Sequence, residues 1–271
     1  MTLNIVVTAK QVVDPEAPIS AYRVDRENKR VNLDPAARIA PVINGFDENA
    51  VEAALRIKDA LTDVKVTVVS AGGNFTMDVM KKALSMGSDA MVLVQDPALD
   101  NVSDSTITAR VLAAAIKKIG SVDLVIGGRQ ASDWDNAQVL LGVAELLGAA
   151  CIPISRKVEV KEGQAICERV IPNGFEVVAA PLPAVVTVSN ELGTPRYPTL
   201  RNIMAAARKQ PTIWKLSDLG LGAAELAPRI KTLDLFIPQK QSKCEFIVGE
   251  EGDEADAGKK LALKLREAKL I

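Results

Sequence analysis

The sequence has no histidine. This chain therefore cannot supply a Ser-His-Asp triad, a Cys-His pair, or a His-ligated zinc or haem. Nor is there an excess of charge of either sign: 33 basic and 34 acidic side chains leave a net charge of −1. Non-specific nucleic-acid binding needs a phosphate-neutralising surplus of Lys and Arg, so that class is excluded. Cysteine is scarce. Cys151, Cys167 and Cys244 form no CxxC and no even framework, and each is expected to be a small buried apolar group in a reducing cytosol. No stretch approaches the ~18 uncharged apolar residues of a membrane span. The opening MTLNIVVTAKQVVD has no basic leader segment and reads as a first strand, not a signal peptide. A soluble cytoplasmic protein is expected. GxGxxG and GxxxxGK[ST] are both missing, so the usual dinucleotide and P-loop fingerprints are absent.

What is present is ordinary globular material: 271 residues, 48% hydrophobic and 25% charged, enough for one large domain or two small ones. Short Val/Ile/Leu runs at 3–8, 64–70, 90–94 and 122–126 suit strands buried on both faces, as in a parallel sheet. They alternate with helical patterns at 48–61, 75–86, 105–119 and 137–147. In the last of these, Val139, Leu140, Val143, Leu146 and Leu147 make one apolar stripe. The alternation predicts an α/β fold with a doubly wound, mostly parallel sheet. Residues 11–45 interrupt it. Within them 22–24 and 30–33 read as a hairpin around the polar turn 25–29, and a segment of this length suits a functional flap or partner surface. Past Cys151 the runs 154–160 and 165–171, flanking a turn at 161–164, and then 184–188 predict added antiparallel strands. One α/β domain is assigned to 1–220 and a C-terminal arm to 221–271. The arm holds an acidic run at 250–256 and an amphipathic helix over 257–271. It is either a solvated tail or an arm docking on another subunit, because Leu261, Leu263, Leu265 and Leu270 otherwise lack a core.

Candidate chemistry lies at strand ends facing helix N-termini, where doubly wound folds bind ligands. The richest segment is 127–139, which leaves an apolar strand and opens a helix. Gly127 and Gly128 permit close backbone approach, Asp135 or Asn136 can cap the helix, and the N–H groups there suit a phosphate or diphosphate. Gln130 and Gln138 can hydrogen-bond a base or ribose edge. The alternative is a polar turn with a purely structural role. Ser70-Ala-Gly-Gly-Asn after the second strand and Ser103–Thr108 before the third helix share this position, and the hydroxyls of the latter can equally be helix caps. With Ala9 at the end of the first strand, these loops converge on one edge and point to a nucleotide cleft. Asp133 and Asp135 are paired carboxylates without a third ligand, so no metal site is expected. Arg129 either pairs with phosphate or flavin or is a surface arginine. No catalytic residue is assigned: the chain reads as a nucleotide-holding module, and any redox chemistry belongs to a cofactor.

Two segments add up to a family. Gly128-Arg-Gln-Ala-Ser-Asp133, continuing through Asp135-Asn-Ala-Gln-Val139, resembles the adenine-nucleotide loop of electron-transfer flavoprotein beta subunits. Leu192-Gly-Thr-Pro-Arg-Tyr-Pro-Thr-Leu-Arg-Asn-Ile-Met204 resembles their Pro-Arg-Tyr signature with its short following helix. The opening Ala9-Lys-Gln-Val, the stretch 82–90 and the length are similar as well. The resemblance implies a Rossmann-like fold, akin to adenine-nucleotide alpha hydrolases, in a heterodimer whose alpha subunit holds most of one FAD and is embraced by the C-terminal arm. It implies electron transfer from a flavin dehydrogenase, often an acyl-CoA dehydrogenase, to a quinone reductase or a ferredoxin or flavodoxin acceptor. The beta site would hold FAD, with AMP as the alternative, possible NADH-linked electron bifurcation, and no membrane-spanning part. Carried onto this sequence, the cofactor residues are Ala9, Ser70, Ala71, Gly72, Asp104, Ser105, Thr108, Gly128, Arg129, Gln130, Ala131, Asp133, Asp135, Asn136, Ala137, Gln138 and Val139. The partner residues are Leu192, an exposed hydrophobic plug in the family, with Pro195, Arg196 and Tyr197. Bifurcating relatives read Gly-Asp-Thr where this chain has Trp134-Asp135-Asn136, and Gly at Leu140. A nucleotide-sensing module without a redox role is the competing reading, on fold analogy alone.

Overall fold

The apolar runs become strands whose alternate residues face opposite sides. In a computed structural model the structure describes residues 2–100, 102–237, 244–250 and 253–271. In chain order the elements begin with β1 (Leu3–Thr8), β2 (Gln11–Val13), β3 (Tyr22–Asp25), β4 (Arg30–Leu33), β5 (Pro41–Ile43), α1 (Gly45–Ala60), β6 (Val64–Gly72), α2 (Met77–Met86), β7 (Ala90–Gln95) and α3 (Ser105–Ile119). There follow β8 (Leu124–Gly128), α4 (Val139–Leu147), β9 (Ala150–Lys161), β10 (Gln164–Ile171), β11 (Gly174–Pro181), β12 (Ala184–Val188), α5 (Leu200–Arg208), β13 (Thr212–Trp214) and α6 (Glu254–Glu267).

Among the described residues, nine strands form one sheet in the order β11-β10-β9-β12-β8-β1-β6-β7-β13. The strands from β12 to β13 in that order run parallel, and β10 is antiparallel to both of its neighbours, β9 and β11. The expected doubly wound sheet with antiparallel additions is therefore what forms. Ile5 and Val7 of β1, Leu124 and Ile126 of β8, and Val186 of β12 pack on one face against Val51 and Leu55 of α1 and Met80 of α2. Val6, Val125 and Val185 turn to the other face, against Val111 and Ile116 of α3 and Val143 of α4. The period-two alternation feeds two cores from one strand, which is why these runs are continuously apolar. Each such buried Val or Ile stabilises the fold by about 1.5–3 kcal/mol relative to exposure.

Several boundaries move. β8 starts at Leu124 and continues through Gly127 and Gly128, which pair with Thr187 and Val188 of β12. β9 begins at Ala150, parallel to β12, before a register shift at Val186/Val188 carries it out beside β10. β11 is an addition to the expected strands: its Phe175, Val177 and Val178 are interrupted by Glu176, and its residues are almost all exposed. The hairpin β3–β4 forms as expected, but in a separate two-stranded sheet. Cys167 is buried as expected, whereas Cys151 is half-buried and Cys244 is exposed.

The first compact unit spans Met1–Leu235 and the second Phe236–Ile271. The first continues beyond 220 because Leu221 and Leu226 pack on the α3–α4 core face, and the Arg229 and Ile230 N–H groups donate to Asp104. In the second unit Asp253 caps α6, so the acidic residues from Glu254 belong to its first turn. Residues 251–252 of the expected acidic run lie outside the described residues. Leu261, Leu263 and Leu270 are exposed. No helix among the described residues is long and apolar enough to cross a membrane.

Candidate functional site

From β1 the chain moves outward to β6 and β7, then returns to β8 on the other side of β1. That reversal lies between the carboxyl ends of β1 and β8, where open α/β sheets place ligands. Thr8–Lys10 and 128–139 emerge there.

A residue absent from the sequence reading organises the rim. Asp47, in the first turn of α1 and buried, accepts from the Lys10 N–H at 2.8 Å and the Gly128 N–H at 3.0 Å. One carboxylate thereby ties together the ends of β1 and β8. Burial pushes its pKa up to about 6, against the lowering effect of hydrogen bonds from Asn44, Lys10 and Gly128 and of the Lys10 charge. Asn44, likewise missed, donates to the Gln130 carbonyl at 2.8 Å and accepts from the Ser132 N–H at 3.2 Å. The sequence signal available was a polar pair bracketing a Gly-Phe step at a helix start.

The two glycines have a different role from the one expected. A Cβ on Gly127 would overlap Thr8 Oγ1, and one on Gly128 would lie 2.6 Å from Asp47 Oδ1 and 2.7 Å from Phe46 Cβ. Gly128 makes room for the chain's own α1 and Gly127 for the Thr8 side chain of β1 and Leu140 of α4, and the Gly128 N–H is already consumed by Asp47. Donors for an anion come from further along. Arg129 stacks over the Phe46 ring with its guanidinium carbon 5.0 Å from the centroid, and its buried Nε has no hydrogen-bond partner among the described residues. Such an orphaned cationic donor calls for an acceptor. The first N–H groups of α4 have no intrahelical acceptor either.

The remaining candidates sort as follows. Asp135 and Asn136 do not cap α4. Its N-cap is Gln138, which makes no side-chain bond, because positive φ at Asp135 (50°) and Ala137 (53°) turns the chain once more before the helix starts. Instead Asp135 accepts from Gln130 Nε2 at 2.8 Å, and Asn136 Nδ2 donates to Ser105 Oγ at 3.1 Å, joining the 129–138 loop to α3. Asp133 pairs with Lys10 at 2.6 Å. Asp104 is fully used within the chain: it accepts from the Thr106 N–H and hydroxyl and from the Arg229 and Ile230 N–H groups. Burial would raise its pKa, but these hydrogen bonds outweigh that and hold it below the ordinary carboxylate range. Asp104 therefore positions Ser105. Ala9 and Ser70 are buried at the strand ends, and Ala71, Gly72, Thr108, Ala131 and Val139 are half-buried. Among the described residues no group of three potential ligands could hold a metal. The arrangement can bind and orient a polar, anionic ligand.

The expected partner loop differs more. Leu192 is not exposed: only 6% of it reaches solvent, and it packs in the α1 core face. Arg196 lies against α1, bonded to Glu52 at 2.8 Å and Asp59 at 2.7 Å, and its bonds to Glu52 first and Asp59 second strengthen its hold on its proton. Pro195 is half-buried, and only Tyr197, 92% exposed, stands free. The covering comes from a helix far away in sequence, which no local pattern around Leu192 announces.

Comparison with known proteins gives a consistent result. A family model described as electron transfer flavoprotein domain matches residues 37–219. Caffeyl-CoA reductase-Etf complex subunit CarD of Acetobacterium woodii is 33% identical over 278 residues, spanning 99% of this chain and 100% of its own. Electron transfer flavoprotein subunit beta of Bacillus subtilis is 33% identical over 271 residues, covering 99% and 100% of the two chains. That of Syntrophomonas wolfei is 33% identical over 238 residues, covering 88% and 87%.

Proposed function

The chain belongs to the electron transfer flavoprotein family, as a beta subunit with an electron-transfer role beside an alpha subunit, and from that premise we propose that its rim holds the adenosine diphosphate portion of FAD. The observation that carries this is the buried Arg129 Nε above Phe46, which has no hydrogen-bond partner among the described residues. Arg129 and the α4 N–H groups would meet the diphosphate. Ser105, Gln130, Asn136 and Gln138 would supply polar contacts to the adenosine. Asp47, Asn44 and Asp104 keep those groups in place. Trp134, which replaces a glycine of the bifurcating pattern, is 46% exposed. The bound flavin supplies the redox chemistry.

In the same proposal electrons pass from a flavin dehydrogenase to a quinone reductase or a ferredoxin or flavodoxin acceptor, with NADH-linked bifurcation as an extension. The name of the Acetobacterium relative, which places it in a caffeyl-CoA reductase complex, supports an acyl-CoA-type partner. The residues from 221 onward, with the exposed leucines of α6, would dock on the alpha subunit. The test is to purify the two subunits together, extract the nucleotides and count flavin per heterodimer. Two FAD are expected. One FAD with one AMP would assign AMP to the rim, and no adenine nucleotide beyond the alpha subunit's FAD would refute the proposal.

A further inference from the structure

The 129–138 loop carries most of the polar groups proposed to meet the ligand, yet its residues 133–138 are exposed. Burial therefore does little to order them, and hydrogen bonds and charge have to do it instead. Asn44 secures the inner half at Gln130 and Ser132. The Ala131 carbonyl accepts from the Trp134 N–H at 3.3 Å and the Asp135 N–H at 2.9 Å, which closes a tight turn. The outer half is held from across the rim by Lys10, whose ammonium donates to Asp133 Oδ1 at 2.8 Å and Oδ2 at 2.6 Å. Lys10 is a firm base for that reach: Asp47 binds its N–H, and its carbonyl accepts from the Asn44 N–H at 2.9 Å. A ring of contacts results. Asp47 joins Lys10 to Gly128, the chain runs on to Asp133, and Asp133 returns to Lys10. Asp47 is buried, whereas the Lys10 and Asp133 side chains are 43% and 26% exposed. The ion pair is thus the one member of the ring that dissolved salt can screen.

We propose that Lys10 is a positioning residue of the rim: its ammonium clasps Asp133 and thereby fixes the turn from which Gln130, Asp135 and Asn136 project, so that it governs how fast the bound nucleotide leaves. This rests on the reading that the rim holds an adenosine diphosphate portion. Lys10 acts through Asp133, because its ammonium already has both carboxylate oxygens as acceptors. A turn ordered by an exposed tether opens locally at low cost, and each opening gives the ligand a way out. Salt weakens the tether, and release quickens with it.

The experiment mixes heterodimer, co-purified with its own nucleotides, with an excess of isotopically heavy FAD and AMP. Loss of light nucleotide from the protein is followed by mass spectrometry at about 50 and about 500 mM KCl. Two phases are expected, one for the alpha subunit's FAD and one for the rim. Lys10→Met and Asp133→Asn should each quicken the rim phase alone, by about two- to fivefold at the lower salt, and flatten its response to KCl. Combining them should add nothing to the larger single effect, because both remove one contact. Lys10→Arg, which keeps the charge, should stay near the wild-type rate. Should either single variant fail to assemble, the other decides. A rim phase with the wild-type rate and salt response in the assembled variants would overturn the clasp and leave nucleotide binding standing. Single effects that add in the double variant would overturn it too, since Lys10 would then meet the ligand directly. A wild-type heterodimer with no adenine nucleotide beyond the alpha subunit's FAD would remove the rim reading and the clasp together.

Discussion

Asp47 gives the sharpest pH test of the rim. Its carboxyl moves from an ordinary 3.8 to about 6 in the folded chain, chiefly through burial. Between those values the native state binds a proton that the unfolded chain has released. Stability conferred by this group therefore falls as pH rises from about 4 to about 6 and is level above that. At about 1.4 kcal/mol per pH unit, the loss is about 3 kcal/mol. Glu52 and Asp104 act in the opposite sense: burial raises each, but hydrogen bonds from Arg196 and Arg56, and from Thr106 and its neighbours, lower them further. Their contributions are present above the ordinary carboxylate pKa and vanish as pH falls through the folded value. A bare stability profile mixes the two signs, so the informative quantity is the difference between wild type and Asp47→Asn. In that variant one amide oxygen replaces two acceptors, leaving either the Lys10 or the Gly128 N–H unpaired at about 1–3 kcal/mol. That loss does not vary with pH. Urea unfolding from pH 4 to pH 7 should show wild type losing about 3 kcal/mol relative to the variant across pH 4–6. Parallel profiles would refute the argument that the carboxylate is desolvated behind the rim.

Gly128→Ala should lower stability by about 1–3 kcal/mol through overpacking against Phe46 and Asp47, read as a fall in urea midpoint. Leu192→Ala should lose about 2–5 kcal/mol as a core truncation, whereas Tyr197→Ala, at an exposed site, should change unfolding by less than about 0.5 kcal/mol; equal effects would contradict the burial of Leu192. Asp133→Ala removes a partly exposed ion pair with Lys10 and should alter stability by less than about 1 kcal/mol, while nucleotide retention on gel filtration falls. Unchanged retention would take Asp133 out of the proposed site.

The parallel core was legible because burial on both faces writes itself as unbroken Val, Ile and Leu. β11, turned outward, had no such record, and β13 is only three residues long. At the site, the polar loops were visible as compositions but their internal bonds were not. Asp47 meets Lys10 and Gly128 across 37 and 81 positions, and Ser105 meets Asn136 across 31. Glycines 127 and 128 were identifiable as places of close approach, but what approaches them is the chain's own Thr8 and Leu140 at the first and Phe46 and Asp47 at the second. The burial of Leu192 was invisible for a similar reason: Asn49 and Arg56, whose side chains donate to the Gly193 and Leu192 carbonyls, lie more than a hundred positions upstream.

Helix α1 serves two masters. Its opening turn ties the ends of β1 and β8 together through Asp47, and about 18 Å along its axis Asp59 still holds Arg196 in the loop after β12. A lesion in this one rod should therefore produce paired defects, in flavin content and in docking, so a mutational survey that scores either trait alone will mistake a shared beam for a local contact.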